Sequence, residues 1–422
     1  MPAIAWKPLK SASGYLPGFE RKSALPPKAA FQRQALLVGH KQTSARWLGS
    51  QPTPSQLWHG RRSEYHPEPV DQKEITRMAE GKVALWRPMY HPQGHQMLTE
   101  AGLDVVIVDS ANADEIKQVL YGARALWVRT PERVTAEILK SGTELVVVST
   151  SGFGTDNIDI PAATERGILV VNHQGFGRVP VSEHTIMMML AAAKQLVWSD
   201  RGVRDGSAWS NRSGLQISEL EGKTVGIIGL GYIGSEIARK LKYGFNCRVL
   251  AYDPHVNPRI ARLVDAQLVK DLHTMLPECQ FLVLVPELTP EARGMIGAKE
   301  LAALPKGAIV VNTGRGQVLD FDALNDALES DHLFAAAIDA YFPEPLPADH
   351  PLLRNPKATL SPHIAGTTVE ASLQLARSAS NQILTALSGA LPAFPINKVA
   401  WEGPKSRRPK VSEPTQPGGR KD

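Results

Sequence analysis

Cysteine is scarce in this chain. Only Cys247 and Cys279 occur, well separated and outside any C-x-x-C. That excludes a disulfide framework, and both are expected to be reduced, buried thiols of an intracellular protein. Long apolar runs are missing too: the best, residues 185–193, stops at Lys194, far short of the ~20 residues of a membrane span. Acids are nearly absent from the start, where Glu20 is the only one before Glu64. This is a feature of organelle transit segments, but Pro2, Pro8, Pro17, Pro26 and Pro27 interrupt any amphipathic helix there. A cytoplasmic location is expected, with a mitochondrial one the alternative if residues 1–77 are a transit segment. An over-extended start competes, because folded-looking sequence begins just after Met78.

The net charge of +5 belongs to the ends. Residues 1–77 hold 12 Lys/Arg against 5 Asp/Glu and residues 399–422 hold 6 against 3, leaving 29 basic and 34 acidic residues between them. Nothing in the middle asks for nucleic acid. The 43% hydrophobic content suits large cores, and 422 residues suggest about two or three domains.

What is present is organised around residues 223–241. An apolar strand, Thr224 to Ile228, meets the turn Gly229-Leu230-Gly231-Tyr232-Ile233-Gly234, and a helix follows. In this G-x-G-x-x-G spacing Gly229 permits the tight turn, Gly231 lets a pyrophosphate approach the backbone, and Gly234 lets helix and strand pack closely. The helix N-terminus then faces the phosphates. A second strand, 248–252, ends at Asp253, 19 residues beyond Gly234, close to the ~20 expected of the acid that binds the adenosine ribose. With no obvious arginine beside it for a 2′-phosphate, NAD is expected over NADP.

Around this stretch strand and helix alternate. Residues 83–86, 105–108, 125–128, 146–148 and 168–171 read as buried strands with helices such as 113–121 and 134–140 between them. Further strands follow at 281–285, 308–311, 335–338 and 359–360. Continuous apolar strands with helical crossovers predict parallel sheets, hence an α/β fold of two doubly wound domains. A long helix over 181–201 joins the halves, and a helix over 368–388 closes the chain. The expected division is an unstructured extension, 1–78; a substrate domain, 79–178, completed by 366–398; a dinucleotide domain, 179–365; and an unstructured basic tail, 399–422.

Three strand ends in the second half carry chemistry: Asn312-Thr313-Gly314-Arg315-Gly316, Asp339 to Glu344, and Ser361-Pro362-His363. Ligands of open α/β sheets bind outside such ends, so arginine, carboxylate and histidine could converge beside a nicotinamide.

With these motifs in order, together with Gly152 to Asp159, Val181-Ser182-Glu183-His184 and Ser361 to Gly366, the chain resembles the D-isomer-specific 2-hydroxyacid dehydrogenases over residues ~80 to ~395. The resemblance implies a Rossmann NAD domain with a smaller flavodoxin-like substrate domain, and a catalytic set of Arg315, Glu344 and His363. In that reading Arg315 holds the substrate carboxylate and Glu344 orients His363. Gly229, Gly231, Tyr232, Ile233, Gly234, Asp253, Thr313, Gly314, Asp339, Ala365 and Gly366 would contact the cofactor, Asp339 at the nicotinamide. Phe153 and Gly154 would grip the substrate carboxylate through their amides. The implied substrate is a small D-2-hydroxy or 2-keto acid, as for glyoxylate/hydroxypyruvate reductases or phosphoglycerate dehydrogenases, though the chain leaves no room for the regulatory domain of the latter. A homodimer through the linker helix is implied, with no metal, membrane or nucleic-acid partner.

Two rival resemblances stay open. Formate dehydrogenases are similar from Tyr341 to Pro345 through Gly366-Thr367-Thr368, but carry glutamine at the position of Glu344 and an asparagine just before the linker helix, which Gly175 to Pro180 lacks. The C-terminal-binding-protein corepressors keep the catalytic constellation while using NAD(H) as a signal. Arg129, ending a first-half strand, could face a second anionic group or a surface ion pair.

Overall fold

The structure is a computed structural model and describes residues 81–409. The expectations for residues 1–80, and for the tail from 410 on, lie outside the described residues.

Two parallel sheets carry the fold. The first takes β1 (Lys82–Trp86), β2 (Asp104–Val108), β3 (Ala123–Val128), β4 (Val147–Ser149) and β5 (Leu169–Val171) in the order 2-1-3-4-5. The second takes β6 (Thr224–Ile228), β7 (Arg248–Tyr252), β8 (Gln267–Val269), β9 (Phe281–Leu284), β10 (Ala308–Asn312), β11 (Leu333–Ile338) and β12 (Ala358–Leu360) in the order 12-11-10-9-6-7-8. Both orders reverse beside the first strand of their own sheet, the arrangement of flavodoxin-like and Rossmann sheets that leaves a crevice at the strand ends. The central strands are apolar throughout because helices cover both faces: Val225, Ile227, Val283 and Val311 face one side, while Ile228, Leu282, Leu284 and Val310 face the other, all buried. Each such side chain contributes about 1.5–3 kcal/mol on burial.

Three features depart from the sequence reading. The single helix expected over 181–201 is two, Arg178–Ala193 and Leu196–Asp205. Gln195 between them takes a left-handed conformation, φ 50°, which ends a helix without glycine. The orphaned Ala193 carbonyl is satisfied from outside, by the Ser218 amide at 2.9 Å. Strand β8 was not expected at all; it is three residues at a sheet edge with no buried side chain.

The third departure is the tail. Residues 399–409, expected to be unstructured, lie against the first domain. Helix Lys398–Glu402 buries Ala400 and Trp401, Arg407 Nη1 donates to the carbonyls of Gly142 (2.7 Å) and Leu145 (3.2 Å), and Arg408 Nε donates to that of Gly389. Just before it the chain covers the edge of β5. The Asn172 amide donates to Phe394 O, the Ile396 amide donates to Val170 O, and Val171 bridges Pro395 antiparallel. An edge strand left bare is an aggregation template, and here it is paired.

The closing helix, Val369–Leu387, returns to the first sheet with Leu375, Ala376, Ala379, Ile383 and Leu387 buried. Among the described residues no helix is long and apolar enough to cross a membrane.

Candidate active site

Strands β10, β11 and β12 are neighbours in register, with Asn312 beside Ile338 and Ile338 beside Leu360. The three segments leaving them therefore start side by side, about 4.8 Å apart.

The β10 segment is clamped by its own asparagine. Buried Asn312 accepts the Gly314 amide on Oδ1 (3.1 Å) and donates from Nδ2 to the Arg315 carbonyl (3.1 Å). A Cβ on Gly314 would stand 2.8 Å from Leu284 O and from Val285 Cα, so even alanine is crowded there. On Gly316 it would fall 1.9 Å from the carbonyl carbon of Tyr341, which seats the Arg315 loop against the start of the β11 segment. Arg315 itself reaches the first domain: Nε donates to Asp156 Oδ2 at 2.8 Å and Nη1 to the Gly314 carbonyl at 3.0 Å. A Cβ on Gly154 would collide with Nη2 at 2.0 Å. Phe153, next to it, is exposed, and its carbonyl accepts from Asn172 Nδ2.

The β12 segment is folded around Asp339. Its Oδ1 accepts the Ser361 hydroxyl (2.6 Å) and the Ile364 amide (3.0 Å), while Oδ2 accepts the Ala365 amide (3.0 Å). Because that hydroxyl is spent as a donor, His184 Nε2 must donate to Ser361 Oγ, 3.0 Å away. Burial would raise the Asp339 carboxyl, but the donors from His184, Ser361, Ile364 and Ala365 together hold it below the usual carboxylate range. Asp339 has no exposed surface. The carboxylate is thereby the anchor of the 361–365 loop.

That loop presents His363 with φ 54°, a strained conformation for a non-glycine residue. Its Nδ1 faces both carboxylate oxygens of Glu344, at 2.7 and 2.9 Å, so Nδ1 carries the proton toward Glu344 and Nε2 is left for a ligand. Both side chains are about one-third exposed.

The glycine turn behaves as its spacing requires. Gly229 has φ +89° and, like Gly234, has no room for a Cβ: the nearest atoms would be Pro286 Cα at 2.5 Å and Gly229 O at 1.9 Å respectively. Gly231 faces open space, with nothing within 4 Å of an added Cβ. It begins the 14-residue helix Tyr232–Phe245 with no side-chain cap, leaving the first-turn amides for an anion. Exposed Tyr232 and half-buried Ile233 sit at that end, Ile233 Cδ1 being 3.9 Å from a Cβ placed on Gly177. Asp253 holds the turn from β7: Oδ2 accepts the Leu230 amide (2.8 Å), and Oδ1 accepts those of His255 and Val256. A carboxylate has about four acceptor sites, so one is left for a ribose hydroxyl. Thr313 is buried and bonded to Thr185 Oγ1 at 2.7 Å; Ala365 is buried, and a Cβ on Gly366 would stand 3.9 Å from Val181 Cγ2.

Three site residues had no role in the sequence reading: Asp156, His184 and Ser361. Each stood inside a motif already noticed, but its partner lies 22 to 177 residues away. Arg129 has no ion pair among the described residues. Its guanidinium lies 4.8 Å over the Tyr90 ring and donates to Pro88 O.

A Rossmann sheet with a glycine-turn cradle, faced by a flavodoxin-like domain across an Arg–carboxylate bridge, defines a two-domain dinucleotide-binding protein. Comparison with known proteins narrows this. A family model described as the D-isomer specific 2-hydroxyacid dehydrogenase NAD binding domain matches residues 186–365. The glyoxylate reductase of Thermofilum pendens is 34% identical over 328 residues, covering 76% of this chain and 96% of that one. The D-3-phosphoglycerate dehydrogenase of Archaeoglobus fulgidus is 37% identical over 288 residues, 68% of this chain, but only 54% of its own length is spanned. The solved TT0316 protein from Thermus thermophilus has a TM-score of 0.69 at 31% identity, covering 75% of this chain and 99% of that one. The chain belongs to the D-isomer specific 2-hydroxyacid dehydrogenase family, with the family's NAD-binding domain at residues 186–365.

Proposed function

We propose that this protein transfers hydride between NAD(H) and a small D-2-hydroxy acid or 2-keto acid. The observation that carries the reading is His363 Nδ1 held by both oxygens of Glu344, with Arg315, Glu344 and His363 on the segments that leave β10, β11 and β12 in turn. Reducing a 2-keto acid needs a proton for the developing alkoxide and a cation for the carboxylate. An imidazole whose charged form a carboxylate attracts supplies the first from Nε2; a fixed guanidinium supplies the second. The cradle over Gly231 and the spare acceptor on Asp253 suit the pyrophosphate and ribose of NAD, which when bound supplies the hydride. The rest of the site falls to Arg315, which orients the substrate, and to the Asp339-anchored loop, which fixes His363.

Glu344 also argues against formate oxidation, which releases no proton needing a base. Against an NAD(H)-sensing module the discriminator is turnover. Purified protein with NADH and glyoxylate, hydroxypyruvate or pyruvate is expected to consume NADH, and NADPH is expected to serve poorly. Tight NADH binding without turnover of any 2-keto acid would favour the module.

Dimerisation is part of this reading. Helix Arg178–Ala193 and the start of the next carry a groove of about 450 Å³, lined by Ile186, Met187, Leu190, Ala191 and Leu196 with Glu183 and Lys194. Met187 and Leu196 are 44% and 54% exposed, which supports burial by a second copy.

A further inference from the structure

We propose that Asp156 is a positioning residue that decides which edge of the Arg315 guanidinium meets the substrate; this rests on the hydroxy-acid reading above. Arginine has five N–H donors arranged as a side edge, Nε with Nη2, and an end edge, Nη1 with Nη2. A carboxylate binds either edge bidentately, and the two poses would hold its 2-carbon in different places. Here the side edge is blocked twice from the facing domain. Asp156 Oδ2 takes Nε–H at 2.8 Å, and the Gly154 backbone lies so close to Nη2 that a Cβ there would be 2.0 Å from it and 3.1 Å from Asp156 Oδ2. The Gly314 carbonyl takes one hydrogen of Nη1. Three N–H bonds are left, one on Nη1 and two on Nη2, and the open edge is the end.

Gly154 and Asp156 belong to one loop of the first domain, whereas Arg315 belongs to the second. The socket is complete only while the two domains keep this spacing, so the substrate's arginine is aimed by the opposite side of the cleft. The Asp156 charge also repels a substrate carboxylate drawn toward Nε, reinforcing the choice of edge. In its absence the guanidinium loses its tether to the first domain and is free to turn, so the substrate carboxylate is expected to be held but misdirected. The signature of losing Asp156 is therefore a fall in kcat with KM little changed, rather than weaker binding.

The experiment compares wild type with Asp156→Ala and Asp156→Asn on the best 2-keto acid of a panel. NADH affinity and melting temperature are recorded to exclude misfolding. Asp156→Ala is expected to lower kcat roughly 30- to 100-fold with KM for the keto acid within about threefold. Asp156→Asn, which keeps an acceptor for Nε–H without the charge, is expected to lose roughly 3- to 10-fold. A KM rise at unchanged kcat, or kcat in Asp156→Ala within about twofold of wild type, overturns the proposal. A second readout needs no turnover: the Arg315 Nε–H resonance, assigned by its loss in Arg315→Lys, should be protected from solvent exchange in wild type and unprotected in Asp156→Ala. Should wild type reduce no 2-keto acid, the proposed function fails by itself, and equal Nε–H exchange in wild type and variant would remove the pairing too.

Discussion

At the scale of single residues, the site works by leaving one atom of each group unspent. His363 spends Nδ1 on Glu344 and keeps Nε2; Asp253 spends three acceptor sites on backbone amides and keeps one. Replacing Glu344 with glutamine keeps a partner for Nδ1–H but removes the carboxylate that pairs with the ring as it hands on its proton. The kcat for keto-acid reduction should therefore fall by on the order of 10²-fold in Glu344→Gln; an unchanged kcat takes Glu344 out of the mechanism. A second histidine makes the opposite use of burial. His173 Nε2 lies 3.1 Å from the Thr150 carbonyl, which fixes its proton there, so Nδ1 accepts from Ser378 and Gln382. Burial lowers His173 to about 4 from 6.5. As pH falls from 6.5 toward about 4 the unfolded chain binds this proton first, so stability complete above 6.5 is lost across that window, by about 3 kcal/mol. Denaturant melts should show His173→Gln less pH-dependent there by that amount; parallel curves would contradict it.

At the scale of elements, periodicity made most of the fold legible and contacts at long range hid the rest. Strands β6 and β7 are readable to the residue because each is a continuous apolar run ended by glycine or aspartate. Strand β8 is not readable, since Gln267-Leu268-Val269 is too short and too little buried to show a period. The break at Gln195 has no local signal, as glutamine does not favour a left-handed conformation. In the tail, basic Pro- and Gly-rich composition spoke for disorder, while Trp401 is buried and Arg407 finds partners more than two hundred residues back. The site was legible in the same uneven way: His363 and Glu344 stand in short motifs, whereas Arg315 meets Asp156 across 159 positions. The tail's first anchor is testable. Asn397 Oδ1 accepts the Val170 amide at 2.7 Å and Nδ2 donates to Thr164 Oγ1 and Ile168 O. Asn397→Ala strands a buried amide and carbonyl, so unfolding free energy should fall by about 2–3 kcal/mol. A loss below ~0.5 kcal/mol would mean that the strap adds nothing to the first domain.

At the scale of the whole molecule, two α/β domains meet so that one supplies the cradle and the histidine while the other braces the arginine. Exposed Met187 and Leu196 stand on the two consecutive helices between the domains. Sedimentation of wild type should give a dimer and Met187→Glu a monomer; a monomeric wild type would show that this face has another use. The central claim is hydride transfer to a 2-keto acid held by Arg315 and protonated by His363. NADH deuterated at the transferable 4-position tests it most directly, followed by isotope and chiral analysis of the product. Deuterium at C2 of the D-hydroxy acid, abolished in His363→Ala, is the predicted result. NADH bound but unconsumed, or a product carrying no deuterium at C2, would contradict it.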